Sequence, residues 1–320
     1  MNSVPKANPS NFRTSATMFR AHCRQRQSQP LSHQTCPDSP VKSLGSNLET
    51  AKKMSADRPK ANKKHNRPRD RQKPAFIKER PEDIQIFGLH AAEAALNNPA
   101  RRIKSAAMTE NAANKLAEGL KQRGIEPEKT TPRNLDKLLG NDTVHQGVYL
   151  ECDPLPEPAL EDLIDAARDG RPIILLDQVT DPHNVGAILR SGAVFGCGGL
   201  IMTRRHSPPL SGVLAKSASG GLEYVPVHLA VNLARTLSEL NDAGVLTIGL
   251  EGTAETALHE GMQNERPTAI VLGAEGKGLR QLTMETCEKL CRIETSGALA
   301  SLNVSNAAAI ALHLFSMQRS

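Results

Sequence analysis

The 320-residue chain has no tryptophan, and phenylalanine and tyrosine together make up only 2% of it. The core must therefore be built from aliphatic side chains, and base stacking on aromatic platforms is not expected to be the main way of holding nucleic acid. Six cysteines are too few for a disulfide scaffold, and no pair of Cys-x-x-Cys motifs indicates zinc. Sparse, reduced cysteines fit a cytoplasmic setting. Because no apolar run reaches about 18 residues, the sequence predicts no membrane-spanning helix.

Charge is distributed unevenly along the chain. Residues 1–80 hold 18 Lys and Arg against 5 Asp and Glu, a net of +13, whereas residues 81–320 hold 22 against 29, a net of −7. We expect residues 1–80 to be a disordered basic tail, because they have too little apolar surface to offset the entropy of ordering. The densely basic residues 52–73 leave two interpretations open, an arm that binds a polyanion and a solubilising tail.

The first 50 residues also have two interpretations. Residues 1–37 contain no Asp or Glu, and their Arg and Ser content is typical of a transit peptide. Met54 offers a second start, and we favour an overlong start as the explanation of residues 1–50. The sequence does not decide whether residues 1–53 belong to the mature chain.

Residues 84–151 are predicted to form a small α/β domain, followed by a linker and lead-in helix over 152–170. The predicted strands are 84–87, 103–108 and 144–151, and the predicted helices are 90–96, 111–123 and 132–139. Gly124 and Gly140 follow the second and third helices at the position where glycine ends a helix. Three prolines within 152–158 mark the linker.

Residues 171–320 alternate short apolar runs with helical patterns. The predicted strands are 173–176, 200–202, 245–250, 269–272 and 290–293, and the predicted helices are 185–195, 210–217, 229–242, 279–289 and 304–317. Short apolar strands that alternate with helices indicate a buried parallel sheet, so the fold class is α/β. Cys287 and Cys291, four residues apart, lack two further ligands and are interpreted as reduced helix cysteines, so no metal is expected.

The first polar motif, residues 177–190, follows a strand and opens a helix, where α/β folds bind ligands. We expect Asn184 to cap the helix and Arg190 to lie about 9 Å further along its axis. Gly186, four residues before Arg190, would leave room there for a substrate group. The structural alternative is a plain cap and an Arg paired with an acid. His183 could take a proton, although a lone His beside a motif is more often incidental.

Two further motifs follow strands in the same way. Residues 270–279 run from a strand through three glycines into a helix, and exposed backbone N–H groups there suit an anion. Residues 293–306 place small and polar side chains before the last helix, which Ser301 or Asn303 can cap. Taken singly, the two motifs are also explained as a strand-to-helix turn and two ordinary caps.

Taken in order, the three motifs resemble those of the SpoU family of SPOUT-class RNA ribose 2′-O-methyltransferases. The residues that carry the resemblance are Asn184, Gly186 and Arg190, then 272–276 with Gly278, then 301–305, together with the Lys-containing loop 216–221. Upstream, 87–90 and 145–148 are similar to the small substrate-binding domain of the long-chain subgroup, whose members include enzymes that act on a guanosine of 23S rRNA. The resemblance covers residues 84–320.

The resemblance implies a C-terminal trefoil knot and transfer of a methyl group from S-adenosylmethionine to a ribose 2′-hydroxyl in RNA, in 23S rRNA or, alternatively, in tRNA. It assigns the sites residue by residue. The catalytic residues would be Asn184, Arg190, Glu275, Ser301 and Asn303. The cofactor-binding residues would be Leu272, Gly273, Gly276, Ile293 and Leu302. The RNA contacts would be Arg190, Arg204, Arg205 and Lys216.

Two positions depart from the family pattern. Glu294 stands where the family has Pro, and Asn306 where it has an apolar residue. A homodimer is expected from the family, and an apolar stripe along the last helix is a candidate interface unless it packs within its own domain; it comprises Val304, Ala307, Ala308, Ala311, Leu312 and Phe315. Two further interpretations are a non-catalytic RNA-binding protein with this fold and a nucleotide-dependent oxidoreductase, although the dinucleotide fingerprint is lacking.

Overall fold

The structure, a computed structural model, describes residues 83–262, 265–297 and 301–318. The predicted disordered tail over residues 1–80 lies outside this part of the chain. Among the described helices, none is both long and apolar enough to cross a bilayer.

The first domain is a four-stranded mixed sheet with four helices. Its strands are β1 (Ile84–Phe87), β2 (Ile103–Met108), β3 (Glu128–Lys129) and β4 (Val148–Cys152), and its helices are α1 (Leu89–Asn97), α2 (Glu110–Lys115), α3 (Ala117–Arg123) and α4 (Pro132–Leu139). The strand order is β1-β4-β2-β3. Strand β4 is antiparallel to both of its neighbours, whereas β3 is parallel to β2.

Two predictions for this domain need correction. The helix predicted over 111–123 is two helices that meet at Leu116, whose backbone leaves the helical region at φ −104° and ψ 11°. The strand predicted from residue 144 begins at Val148, because residues 145–147 form a turn. In that turn the Gly147 N–H donates to Nδ1 of His145 (3.0 Å) and Gly147 itself has φ +79°.

The second domain is a parallel sheet of seven strands, preceded by the lead-in helix α5 (Leu160–Arg168). Its strands are β5 (Ile173–Asp177), β6 (Gly199–Thr203), β7 (Val227–Ala230), β8 (Leu246–Leu250), β9 (Thr256–Ala257), β10 (Thr268–Gly273) and β11 (Lys289–Arg292). Its helices are α6 (Pro182–Val194), α7 (Val213–Ser217), α8 (Gly221–Tyr224), α9 (Leu233–Asp242), α10 (Leu258–Gly261), α11 (Gln281–Thr286) and α12 (Val304–Gln318). The strand order is β7-β6-β5-β10-β8-β11-β9, with every paired neighbour parallel.

The predicted α/β class is confirmed, while several element bounds differ. Residues 227–230, partly placed in the helix predicted over 229–242, form the edge strand β7, and α9 begins only after Asn232, whose side chain caps it. The helix predicted over 279–289 is shorter, because β11 starts at Lys289. The short elements β3, β9 and α10 have no pattern long enough to predict them.

An apolar cluster on one side of the parallel sheet continues into the first domain. Alternate residues of the parallel strands face opposite sides of the sheet, so Ile173 and Leu175 belong to one cluster and Ile174 and Leu176 to the other. The second of these clusters continues into the first domain through buried residues such as Ile86.

A buried ion pair crosses the same boundary. Arg101 and Glu223 have side chains only 2% exposed, and Nη2 of Arg101 lies 2.8 Å from Oε1 of Glu223. Asn98 Nδ2 also donates to Glu223 (2.9 Å), and Arg101 Nη1 donates to the carbonyl of Asp153 (2.8 Å). Because each polar group has its partners, the pair holds the first domain against α8 without leaving an unpaired charge.

Candidate active site

Three loops at the carboxyl ends of β8, β10 and β11 surround a cavity of about 390 Å³. All five residues predicted to bind the cofactor line it: Leu272, Gly273, Gly276, Ile293 and Leu302. Glu275 and Ser301, predicted to be catalytic, line the same cavity. These residues come from loops that are distant in sequence, and the parallel sheet brings them together because its strands end at one edge.

Asn184 and Asn303 join the first motif to the third. Asn303 Nδ2 donates to Oδ1 of Asn184 (3.0 Å). Asn303 caps α12 as predicted, because its Oδ1 accepts from the backbone N–H of Ser305 (2.9 Å). The cap predicted for Asn184 is wrong. Asp181 caps α6 instead, with Oδ1 accepting from the His183 N–H (2.9 Å), and Pro182 opens the helix.

Asp177 and Arg280 hold in place the glycine-rich loop between β10 and α11. Neither residue is predicted as a site residue from the sequence. The side chain of Asp177 is fully buried at the end of β5, where its residue pairs in register with Gly273. Its carboxylate accepts from Nε of Arg280 (2.7 Å) and from the Arg280 backbone N–H (3.0 Å). The loop between β10 and α11 is therefore tied at both ends. The signal in the sequence is an acidic residue at the end of an otherwise apolar strand.

Gly273 is required by the loop itself. A Cβ built on Gly273 would lie 2.1 Å from the carbonyl carbon of Gly278, which crosses directly over it. The two ends of the loop also exchange hydrogen bonds, with the Gly278 N–H donating to the Ala274 carbonyl (2.8 Å). The glycine thus allows a close backbone crossing, in addition to any approach of a ligand.

We expect Gly273→Val to abolish S-adenosylmethionine binding and to lower the melting temperature as well, because the added side chain must displace the backbone of Gly278 that crosses over it. Calorimetric titration and a thermal melt of the same sample measure the two effects. Gly252→Val is the control, since it lines the same cavity and a Cβ there meets nothing within 4 Å. A Gly273→Val protein with wild-type melting and wild-type affinity would contradict this account.

Arg190 does not line the cavity formed by the predicted cofactor-binding residues, but a second cavity, between α1 and α6. Its side chain is exposed and has no acidic partner among the described residues, so the predicted alternative of an Arg paired with an acid is not observed. Gly186 does not provide the room for a substrate group that the sequence predicts. A Cβ there would lie 2.5 Å from the Cβ of Ser217 and 2.7 Å from the carbonyl oxygen of Leu214, so Gly186 allows α7 to pack closely on α6.

The other basic residues predicted to contact RNA lie in different settings. Arg204 is bound to Glu157 of the linker, Nη2 to Oε2 2.8 Å. Burial alone would raise the pKa of Glu157, but hydrogen bonds from Arg204 and from the Leu229 N–H lower it below its usual value. Arg205 is exposed, and Lys216 on α7 is half-buried beside Gly88 of the first domain. Arg204 therefore offers less free charge to RNA than the sequence suggests.

Two segments of the first domain, residues 87–90 and residues 145–148, meet next to Lys216. The Gly88 N–H donates to the carbonyl of His145 (3.2 Å), and the Leu89 N–H donates to Oε1 of Gln146 (2.9 Å). Gln146 has φ +56°, a conformation that few non-glycine residues adopt without a reason. The first domain thus presents a tightly tied turn to Lys216 of the second domain.

The lining of this cavity combines apolar and acidic residues, which suits a ligand that carries both apolar and cationic groups. Leu272, Ile293 and Leu302 supply apolar surface, while the carboxylates of Glu251 and Glu275 supply negative charge. Glu251 is not predicted from the sequence. S-adenosylmethionine, with its adenine, sulfonium and ammonium groups, matches this division, and when bound it would supply an activated methyl group.

Two smaller expectations concern Glu294 and the cysteines. Glu294 lies 3.6 Å from Nδ1 of His259 and is not among the residues lining the cavity. Burial raises the pKa of Cys287 to about 12, and in the described part of the chain no group of three His, Cys, Asp or Glu side chains could hold a metal ion. Cys287 ends α11 and Cys291 lies in β11, so the prediction that both lie in a helix is wrong.

Comparison with known proteins identifies the class. Residues 171–313 match the model of the SpoU rRNA methylase family, and residues 85–158 match that of the RNA 2′-O ribose methyltransferase substrate-binding domain. The chain belongs to the SpoU rRNA methylase family, and it is an RNA 2′-O-ribose methyltransferase that uses S-adenosylmethionine. This family membership replaces the two alternative interpretations, a non-catalytic RNA-binding protein and a nucleotide-dependent oxidoreductase.

Individual relatives make the comparison more specific. The chain is 36% identical over 246 residues to the 23S rRNA (guanosine-2′-O-)-methyltransferase RlmB of Pseudomonas aeruginosa, covering 73% of this chain and 96% of the relative. It is 38% identical to RlmB of Xylella fastidiosa over 71% of this chain and 93% of the relative. The SpoU methyltransferase AviRb from Streptomyces viridochromogenes, solved with AdoMet, has the same fold, with a TM-score of 0.63 at 22% identity over 74% of this chain and 90% of that one.

Proposed function

We propose that the protein methylates the ribose 2′-hydroxyl of a guanosine in 23S rRNA. The observation that carries this proposal is the cavity formed by the second and third motifs, together with relatives that are matched over more than 90% of their own length and are named for this reaction. The first domain favours rRNA over tRNA, because the compact tRNA subgroup lacks such a domain. With rRNA as substrate, the enzyme would act in the cytoplasm.

The chain's own residues would place cofactor and substrate rather than form a covalent bond. Leu272, Ile293 and Leu302 would pack around the adenine, with the backbone of Gly273 and Gly276 alongside. Asn184, fixed by Asn303, would position the ribose with its free amide N–H groups, and Glu275 and Ser301 would orient the substrate at the cavity mouth. Holding two reactants in attack geometry lowers a barrier by about 7–11 kcal/mol.

Arg190 would act on the substrate side. A guanidinium stays protonated in proteins, so Arg190 does not serve as the base. A positive fork near the ribose can hold the adjacent phosphate and stabilise the oxyanion that forms as the 2′-hydroxyl attacks the methyl group. Its exposed, unpaired position among the described residues leaves both roles open to it.

Ribose-methylation mapping tests the proposal directly. Unmodified 23S rRNA and unmodified tRNA, both transcribed in vitro, are incubated with the protein and S-adenosylmethionine, and 2′-O-methyl positions are mapped at nucleotide resolution. We expect one guanosine of 23S rRNA to be modified. Modification of tRNA alone would replace rRNA by the alternative substrate.

The basic tail is expected to strengthen RNA binding electrostatically. Deleting residues 1–80 removes a net charge of +13, of which residues 51–80 contribute +9. We expect RNA affinity to fall and the slope of log affinity against log salt to become shallower by roughly 0.7 for each phosphate that the tail neutralises. Deletion of residues 1–50 alone is the control and should have the smaller effect. An unchanged slope in the longer deletion would mean that the tail does not bind RNA.

A homodimer is also proposed, although the predicted interface needs correction. Most of the predicted stripe is buried within its own domain, where α12 packs on α6 and β10. A second stripe on α12 supports the proposal better. Ile310 and Leu314 are half-buried, and Met317 is 61% exposed, at the spacing of one helix face.

We expect Met317→Glu to shift the protein from dimer to monomer at micromolar concentration, because it places a charge in the apolar stripe. Sedimentation velocity measures the change. Asn306→Glu, on an exposed position of the same helix, is the matched control. A wild-type chain that sediments as a monomer while methylating RNA at full rate would rule out the dimer and any shared site.

The trefoil knot implied by the family belongs to the same set of proposals. Strand β11 lies on the far side of β8 and β10 from β5, yet α12, which follows it, packs on α6 after β5. Between β11 and α12 the chain therefore returns past the carboxyl ends of β8 and β10. A trefoil knot of this kind needs such a path. A crystal structure with continuous density through residues 293–304 tests it.

A further inference from the structure

The cavity that contains Arg190 lies between the two domains and has a volume of about 630 Å³. Helix α1 forms one wall, and α6, the loop at 218–221 and α8 form the other. Cavities of about 300–1,000 Å³ are typical of sites for ligands the size of a nucleotide. None of the residues predicted to bind the cofactor lines this cavity, so it is a separate feature of the described chain.

The walls of this cavity are fixed by close backbone packing. A Cβ on Gly220 would lie 2.7 Å from the Cβ of Ala94 on α1, and a Cβ on Gly221 would lie 2.7 Å from the carbonyl oxygen of Leu189 on α6. Ser219, in the same loop, is held at φ +48°. A non-glycine residue in the left-handed region is strained, and it persists only where the surrounding structure determines its conformation. The gap between the domains therefore has a defined shape.

Tyr224 gives the cavity an exposed aromatic ring. It is 66% exposed, whereas the other aromatic residues of the described chain are buried or half-buried: Phe87, Tyr149, Phe195 and Phe315. At this exposure the ring is accessible to a ligand. Stacking on an unpaired base is the interaction for which such a ring is used in RNA-binding proteins.

Glu93 and Asn97 lie one turn apart on α1 and face the same cavity. A carboxylate only accepts hydrogen bonds, so Glu93 suits a base edge with two adjacent N–H donors. The His90 ring approaches the Glu93 carboxylate only to 3.9 Å, from Nδ1 to Oε2, which is beyond hydrogen-bond distance. Both groups are exposed, and the carboxylate is free to accept from a ligand.

We propose that this cavity binds one unpaired guanine nucleotide of the RNA substrate. The guanine ring stacks on Tyr224, its N1–H and N2–H groups donate to Glu93, and its phosphate pairs with Arg190. Adenine lacks the N1–H donor and uracil presents a single N–H, so the donor pair selects guanine. The proposal rests on the proposed function and adds to it the residues that choose the base.

Steady-state kinetics with transcribed 23S rRNA test the stacking. We expect Tyr224→Leu to raise KM for RNA about tenfold with the affinity for S-adenosylmethionine unchanged, and Tyr224→Phe to restore KM, because phenylalanine keeps the ring. The melting temperature of each variant shows that an exposed substitution leaves the fold intact. Wild-type KM in Tyr224→Leu would overturn the stacking role.

Base selection is tested with short single-stranded RNAs that carry guanosine, or inosine without the N2 amino group, at one position. The absence of tryptophan allows binding to be followed by tyrosine fluorescence, and Tyr149→Phe leaves Tyr224 as the single tyrosine of the chain. We expect the wild-type protein to prefer guanosine and Glu93→Gln to lose that preference. Glu110→Gln, an exposed residue on α2, is the matched control. Equal binding of both RNAs by the wild-type protein would overturn the proposal.

The outcomes separate this proposal from the proposed function. A wild-type protein that transfers no methyl group to RNA would contradict the proposed function, while fluorescence would still report guanine binding. A wild-type protein that methylates 23S rRNA, with Tyr224→Leu and Glu93→Gln unchanged, would contradict the guanine site alone. Inosine placed at the methylated position or at its neighbours then shows which nucleotide the cavity holds.

Discussion

Arg190→Ala is expected to lower kcat for RNA methylation by about 10²–10³-fold, the usual cost of removing one group that stabilises a forming oxyanion. S-adenosylmethionine affinity should stay at the wild-type value, because Arg190 does not line the cofactor cavity. Single-turnover methylation of 23S rRNA and calorimetric titration of the cofactor measure the two quantities on one preparation.

Two further variants show what the Arg190 side chain contributes. Arg190→Lys keeps the positive charge but loses the planar fork, so it should recover only part of the rate. Arg133→Ala removes another exposed arginine, on α4, and should leave the rate unchanged. Wild-type turnover in Arg190→Ala would remove this residue from the mechanism, and a parallel loss of cofactor affinity would move it to the cofactor side.

Arg101→Ala is expected to destabilise the protein by about 3–5 kcal/mol, because it leaves the carboxylate of Glu223 buried without its cation. Glu223 would keep only the amide of Asn98, and the Asp153 carbonyl would lose a donor. Thermal melts should show a fall of roughly 10 °C or more for a chain of this size.

Two further variants serve as controls for the ion pair between Arg101 and Glu223. Arg102→Ala removes a side chain that is 81% exposed and 3.5 Å from Asp153, so it should cost less than about 1 kcal/mol. Replacing Arg101 and Glu223 together by methionine should recover most of the loss, since buried pairs are often replaceable by apolar groups. A double variant as unstable as Arg101→Ala would show that the cost comes from packing, and a stable Arg101→Ala would contradict the prediction.

The cofactor loops could be predicted because their signals are local. Glycine and small polar residues after apolar runs mark the ends of strands, and a parallel sheet brings such ends together whatever the length of chain between them. Gly273 and Leu302 therefore meet in one cavity as the motifs indicate. The capping residue of α6 differs from the predicted one although its signal is equally local: Asp181 followed by Pro182 is a stronger start than Asn184.

The remaining features depend on contacts between distant residues. Asp177 and Arg280 are 103 positions apart, and Arg101 and Glu223 are 122 apart, so no periodicity relates them. Strand β7 is predicted in part as helix, because a four-residue edge strand carries too short a pattern to outweigh the helical pattern that follows it. The surroundings of Gly186 could not be predicted from the sequence either, because α7, which fills the space beside it, is brought there only by the fold.

The core that runs through both domains constrains how such a chain can change its RNA target. Ile86 and Leu150 of the first domain belong to the same apolar cluster as Ile174 and Leu176 of the parallel sheet. A recombination event that exchanged residues 84–152 for another RNA-binding module would expose apolar surface on both the incoming module and the parallel-sheet domain. New substrate preferences in this lineage would then arise by point substitution on the exposed face of α1, which the core leaves free to vary, rather than by shuffling of domains.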